Sequence, residues 1–361
     1  MMKRENPKKK HPTPLRIETP KHTSSTSLPL GRNIEESMAN IVDPTTPMDI
    51  IYSPITKGEK DCWSPVRVKR MMKKRRSPAT SPSAKSNRYV KRKLLHKSLF
   101  GEVVLAEDQV LRRKVVLKTS DKLRVSGTES PGSEAKLLRK IQEIGGHNNI
   151  VELLESSEDE KQIQIALQFV PRDLFKMVHE RGGFSETDAR TTFQKILQAV
   201  KFLHSNGIAH LDLSLENVLI NSDTSELRLC DFGAARESKQ GERLKNILTG
   251  KLNYAAPEIL DDRPFEPFKA DCYSLGSMLF TILCGHPLYD LESQNGKVAL
   301  RYATSGLKGV KQLVTAYGYT SSNERTPSDA AIDLIAKLLN HEPTSRPTLE
   351  QIENHPWVLG K

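Results

Sequence analysis

The stretch "HLDLSLENVLI", His210–Ile220, decides the reading of this chain. It sets Asp212 and Asn217 five residues apart in a short polar break that runs into an apolar strand. A carboxylate and an amide both offer oxygens to a proton donor or a cation, which makes the pair a candidate for chemistry. Taken alone, each would equally well cap a loop. The flanks carry the rest of the argument. Downstream, "ELRLCDFG" (Glu226–Gly233) is a second strand that ends in an acid, an aromatic and a glycine. Upstream, "SETDARTTFQKILQAVKFLHSNG" (Ser185–Gly207) predicts a helix. Ser185 with acids behind it starts it, a long apolar stripe sustains it, and Gly207 stops it.

Further out the pattern changes period. "LLHKSLFGEVVLAED" (Leu94–Asp108) and "LRRKVVLKTS" (Leu111–Ser120) predict β-strands, as do "IVELLESS" (Ile150–Ser157) and "QIQIALQFV" (Gln162–Val170). "SEAKLLRKIQEI" (Ser133–Ile144) has helical spacing and is stopped by Gly145 and Gly146. After Pro171 the chain is mostly helical to its end. A strand-rich part followed by a helical part predicts an α+β fold of two lobes with a cleft between them.

The charge is unevenly placed. The chain has 361 residues and a net charge of +11. Residues 1–90 hold 19 Lys/Arg against 8 Asp/Glu, while 91–361 hold 36 of each. Residues 1–88, rich in Pro, Ser, Thr and Lys, cannot bury enough apolar surface to offset chain entropy and are expected to be a disordered tail. Ser/Thr-Pro pairs stand at Thr13, Thr19, Thr46, Ser53, Ser64, Ser77 and Ser81. They suit a proline-directed kinase as partner, and full modification would cancel the tail's charge. "VKRMMKKRR" (Val68–Arg76) is a candidate nuclear import signal, or a solubilising charge run. No interleaved aromatics accompany it, so direct nucleic-acid binding is not expected. Four cysteines without paired spacing fit a reducing, intracellular setting, cytoplasm or nucleus. No apolar run reaches the roughly 18 residues of a membrane span.

Residues 90–360 resemble a eukaryotic protein kinase domain. The likeness rests on an ordered set of motifs. "LLHKSLFGEV" resembles the glycine-rich loop, "VVLK" places Lys118, and "SEAKLL" places Glu134. "HLDLSLEN" resembles the catalytic loop, "DFG" the metal motif and "AAPE" the end of the activation segment, with "KADCYSLG" and "PTSRP" beyond them. The resemblance implies a small β-rich lobe at 89–170, a larger helical lobe at 171–361, and ATP and Mg²⁺ as cofactors. Phosphoryl transfer needs positioning and neutralisation of phosphate charge. By resemblance, Lys118 binds the α/β-phosphates and Glu134 holds it, with Glu129 as an alternative partner. Asp231 and Asn217 ligate the metal, and Asp212 accepts the hydroxyl proton. Leu95, Val103 and Val116 cover the adenine, with Gly101 in the loop above the phosphates. Leu219 forms the floor, backbone near Gln168 and Val170 bonds the adenine edge, and Leu167 is the gatekeeper. Asp271 braces the catalytic loop and Arg346 pairs with Glu258. Cys230 is a packing residue.

Three departures qualify the likeness. His96 and Ser98 replace two loop glycines, which allow close backbone approach to phosphate. Leu211 stands where many kinases carry an Arg that meets an activation-loop phosphate, so phosphorylation of Thr249 or Ser238 is not expected to be needed. Ser214 replaces the catalytic-loop Lys, while "GKLNYAAPE" (Gly250–Glu258) puts Lys251 where the family has a Thr. Ser and Lys thus exchange sides of one contact, which makes Lys251 a candidate catalytic residue; the bland alternative is a lysine pointing to solvent.

The expected function is transfer of the ATP γ-phosphate to protein Ser/Thr hydroxyls, by a monomer. "DLSLEN" and "NYAAPE" resemble the Ser/Thr type. "HPW" (His355–Trp357) resembles the calcium/calmodulin-dependent group, although no calmodulin-binding helix or EF-hand follows it and calcium control is not expected. The alternative is a pseudokinase, a nucleotide-binding scaffold. Glu216 and Asp173 are candidate contacts for basic residues of a substrate, Asp173 alternatively for the ribose.

Overall fold

The computed structural model describes residues 88–97, 101–122, 132–245, 247, 249–291, 295–319 and 325–361. The Ser/Thr-Pro pairs, the Val68–Arg76 cluster, Cys62, Ser98 and Glu129 lie outside the described residues. The first lobe contains β1 (Tyr89–Lys97), β2 (Gly101–Asp108), β3 (Arg113–Asp121), α1 (Ser133–Glu143), β4 (Leu153–Glu158) and β5 (Gln162–Gln168). The strands form one antiparallel sheet in the order β1-β2-β3-β5-β4. Alternation sorts its residues onto two faces. Ala106, Val115, Leu117 and Ala166 pack together on one face with Tyr89 and Leu154. On the other, Val103 stands opposite Lys118, and Val116 opposite Leu167. Leu167 and Ile165 join Leu137, Leu138 and Ile141 of α1 in the main core. The cleft roof and the seat of α1 are therefore the same face of the sheet.

The second lobe begins with β6 (Arg172–Asp173), α2 (Leu174–Arg181) and α3 (Glu186–Ser205). Ser185 caps α3 by accepting from the Asp188 N–H at 3.2 Å. β7 (Ile208–Ala209), β8 (Val218–Asn221), β9 (Glu226–Leu229) and β10 (Arg236–Glu237) follow; β8 pairs with β6 and β9, and β10 with β7. Then come α4 (Pro257–Leu260), α5 (Pro267–Cys284), α6 (Gly296–Ala303), α7 (Leu307–Ala316), α8 (Asp329–Leu338), α9 (Leu349–Glu353) and α10 (Pro356–Leu359). α5 is buried around nearly its whole circumference, as expected of a helix that is apolar on all sides. It is the post around which this lobe is built.

The closing "HPW" is packing chemistry. His355 caps the backbone N–H of Trp357 and bonds Asp333 at 2.9 Å. The Trp357 ring is buried, with Arg190 over it and Phe193 at its edge. These contacts latch α10 to α3 and α8. Among the described residues no helix is long and apolar enough to cross a membrane.

Candidate active site

The catalytic loop is wired to the core through its backbone. Asp271, fully buried on α5, accepts from the N–H groups of His210 and Leu211, both at 2.9 Å, and from His204 Nε2 at 2.8 Å. Leu211 has φ +62°, a conformation that costs a branched residue free energy and persists only where its surroundings impose it. Asp271 is that imposition. The Leu211 side chain is itself buried, as an apolar residue in that slot should be. His210 then spans two motifs: its Nδ1 accepts from Asp212 N–H at 3.3 Å and its Nε2 donates to the Cys230 carbonyl at 3.1 Å.

Asp231 follows Cys230 and also has positive φ, +60°. Its carboxylate pairs with Lys118 at 2.8 Å, and Lys118 pairs with Glu134 of α1 at the same distance. Glu134 further accepts from the Phe232 N–H at 3.3 Å. The Phe232 ring is buried against His210, with centroids 4.9 Å apart. The lysine, the helix acid and the metal acid are thus already assembled. Burial opposes the Lys118 charge, but Glu134 and Asp231 outweigh it and raise its pKa. Lys118 in turn lowers that of Asp231. Burial pushes the Cys230 thiol well up, which leaves it a packing residue and no nucleophile.

Asp212 sits in a second cluster. Asn217 Nδ2 donates to the Asp212 carbonyl at 2.7 Å and to Oδ2 at 2.6 Å. The Lys251 N–H donates to Oδ1 at 3.1 Å. The Lys251 ammonium reaches Ser214 Oγ at 3.0 Å, Asp212 Oδ2 at 3.4 Å and Asn217 Oδ1 at 3.4 Å. Lys251 therefore points into the site. Both partners of the sequence exchange, Ser214 and Lys251, meet in one hydrogen bond.

The residues expected to line a nucleotide divide. Val103, Val116 and Lys118 share the roof face, and Leu219 on β8 pairs with Asp173 and Arg228. Leu95 is about half exposed at the roof's edge, and His96 is exposed beside it. Val170 is buried. The Gln168 N–H is already committed to the Glu152 carbonyl at 3.0 Å. Its side chain turns away to Glu226 at 2.7 Å, which also holds Arg228. That link between the lobe junction and the β8–β9 hairpin has no signal in the sequence. Gly101 has a different reason to be glycine than phosphate approach: a Cβ there would stand 1.8 Å from the Thr119 carbonyl oxygen of β3. Asp173 caps α2 through the Lys176 N–H and pairs with the Lys176 ammonium, both at 2.8 Å. Glu216 keeps one buried carboxylate oxygen without a partner. Burial and that neighbouring acid raise the Tyr254 phenol well above its ordinary value.

The activation segment is held by backbone pairing, buried hydroxyls and an ion pair to α1. Its start pairs with β7, Ser238 N–H bonds the Gly207 carbonyl at 2.8 Å, and Leu244 bridges to Phe265. Ser238 and Thr249 are both buried, and Thr249 Oγ1 donates to the Leu211 carbonyl at 3.3 Å. Lys140 of α1 pairs with Glu237.

Mg²⁺ asks for oxygen donors. Among the described residues no three His, Cys, Asp or Glu side chains gather to hold a metal. One carboxylate, Asp231, and one amide, Asn217, suit a Mg²⁺ that takes its other oxygens from phosphates and water. The set fits a metal that arrives with a nucleotide.

Against known proteins, the family model described as Protein kinase domain matches residues 89–358. The chain is 30% identical over 290 residues to "Calcium/calmodulin-dependent protein kinase type 1" of Caenorhabditis briggsae, covering 79% of this chain and 76% of the relative. The protein of the same name from Macrobrachium nipponense is 30% identical over 298 residues, 81% of each chain. "Probable serine/threonine-protein kinase CCRP1" of Zea mays is 30% identical over 277 residues, 75% of this chain and 41% of the relative.

Proposed function

The chain belongs to the protein kinase family, of the serine/threonine type, and on that premise we propose that it is catalytically active. It would transfer the γ-phosphate of ATP to Ser and Thr hydroxyls of proteins. The observation that carries this reading is the Lys251 ammonium beside Asp212, Ser214 and Asn217. Transfer needs a positive charge near the moving phosphate, and Lys251 is placed to supply it.

The roles follow from charge and position. Lys118, held by Glu134, would neutralise the α/β-phosphates. Asp231 would hold Mg²⁺, and the Asn217 oxygen, the other candidate ligand, faces the Lys251 ammonium. The bound metal would shield phosphate charge. Asp212 would accept the proton of the substrate hydroxyl, and its orientation is set by Asn217 and by the Lys251 N–H. Lys251 would supply the positive charge that Ser214 cannot. The alternative reading, a nucleotide-binding scaffold, draws on the exposed His96 in place of a loop glycine. Transfer from labelled ATP to a mixed Ser/Thr peptide library, wild type beside Asp212→Asn, decides between them. Transfer lost in the variant supports the kinase; ATP binding with no transfer from either protein supports the scaffold.

Two further outcomes belong to this reading. Lys251→Ala is expected to lower kcat/KM by about 10²–10³-fold, the usual effect of removing one preorganised charge-stabilising donor. Ser214→Lys combined with Lys251→Thr restores the ordinary arrangement and is expected to recover most of that loss. Steady-state kinetics of the three proteins check it, and an unchanged rate in Lys251→Ala would refute the exchange. Separately, phosphatase-treated protein is expected to keep its rate within about twofold, because Ser238 and Thr249 are buried and no Arg precedes Asp212 to receive a phosphate. A large loss after treatment would count against it.

A further inference from the structure

Asn217 has a single amide oxygen, and the structure fixes where it points. The Nδ2 group donates to both the Asp212 carbonyl and Asp212 Oδ2. Turning the amide over would set its oxygen against a carbonyl and a carboxylate, so this orientation is imposed. The oxygen left for a metal is the one that already accepts from the Lys251 ammonium at 3.4 Å. That ammonium has two further anchors, Ser214 Oγ at 3.0 Å and Asp212 Oδ2 at 3.4 Å.

The two halves of the site differ in formal charge. Lys118 with Glu134 and Asp231 leaves one negative charge in excess, which attracts a cation. Lys251 with Asp212, Ser214 and Asn217 is balanced. A divalent ion on Asn217 would meet a monocation bound to the same oxygen, and like charges at such range disfavour each other. Lys118 stands closer to Asp231, at 2.8 Å, than Lys251 does to Asn217, but Asp231 is an anion whose charge attracts a dication, whereas the neutral Asn217 amide offers nothing to offset the repulsion.

We propose that Lys251 is a built-in cation that takes the Asn217 side of the metal site, so that this protein binds its nucleotide with one divalent ion, at Asp231. Protein kinases in general hold two, one each through the DFG Asp and the catalytic-loop Asn. The inference rests on the reading of an ATP-using kinase. It explains why the lysine was placed at 251: from there its ammonium can serve the transferring phosphate and replace a metal at once.

The test is a count of bound metal. Full-length protein with saturating non-hydrolysable ATP analogue is titrated with Mn²⁺, and free Mn²⁺ is read by electron paramagnetic resonance. Wild type is expected to take up about one ion per bound nucleotide, and Lys251→Thr about two. Lys251→Arg, which keeps a cation, is expected to stay near one. Thermal unfolding of each variant shows that the fold is kept. Two ions in wild type, with peptide phosphorylation intact, would overturn this inference alone. One ion in Lys251→Thr would overturn it as well. No uptake of nucleotide by wild type would overturn the reading it rests on, and the inference with it.

Discussion

Asp212→Asn is expected to bind ATP and to transfer phosphate slower by a factor on the order of 10²–10⁴, the range for loss of a positioned general base. The substitution changes one atom, yet its surroundings are donors. Asp212 Oδ1 accepts from the Lys251 N–H, and Oδ2 accepts from Asn217 Nδ2 and faces the Lys251 ammonium. An amide nitrogen at either position would meet a donor with a donor. The variant therefore loses both the proton acceptor and part of what orients Asn217 and Lys251. Lys118, the proposed phosphate ligand, lies in the other cluster and is held by Glu134 and Asp231, so its place does not depend on Asp212. A near-normal Kd for ATP with a collapsed kcat is the expected signature. Equal rates in wild type and variant would mean that the hydroxyl proton leaves without Asp212.

Arg346→Ala is expected to destabilise the second lobe by about 3–5 kcal/mol, the usual cost of stripping one partner from a buried ion pair. Arg346 and Glu258 form two parallel bonds of 2.6 and 2.7 Å, and both side chains are almost wholly buried. The guanidinium also donates to the carbonyls of Asn340 and Lys269 and lies 5.0 Å over the Tyr273 ring. Removal leaves a buried carboxylate with no counter-charge and takes a donor from three carbonyls, His341 being the third. Urea unfolding of the full chain measures the effect. Arg346→Met with Glu258→Gln should cost much less than Arg346→Ala, since no charge is stranded. A shift below about 1 kcal/mol for Arg346→Ala would show that water or a neighbour replaces the pair.

The residues that were legible in the sequence are those whose chemistry forces a type and a spacing. Ser185 as a helix start, Lys118 in a strand and Asp212 five residues before Asn217 are of this kind. Lys251 and Ser214, 37 positions apart, were legible as partners only by likeness to a known arrangement. Gly101 was legible as a glycine of the loop, while the demand of the strand beside it for a missing Cβ was not, since no local pattern reveals it. Asp173 was placed among residues meeting substrate or ribose. In the structure a lysine three residues on meets one of its oxygens and the helix start meets the other, a capping role that the sequence reading did not include. The Gln168–Glu226 contact joins residues 58 apart on surfaces without periodicity, and was not legible at all.

The tie between Asp271 and the catalytic loop also sets a clock. The amide hydrogens of His210 and Leu211 end on a carboxylate inside α5, where no water reaches. They can trade with deuterium only when that helix lets go, which for a core element means a free energy close to that of whole-lobe opening. Hydrogen-exchange mass spectrometry should find these two amides among the slowest in the chain. The working loop would then carry the durability of the interior, although it stands at the surface of a cleft.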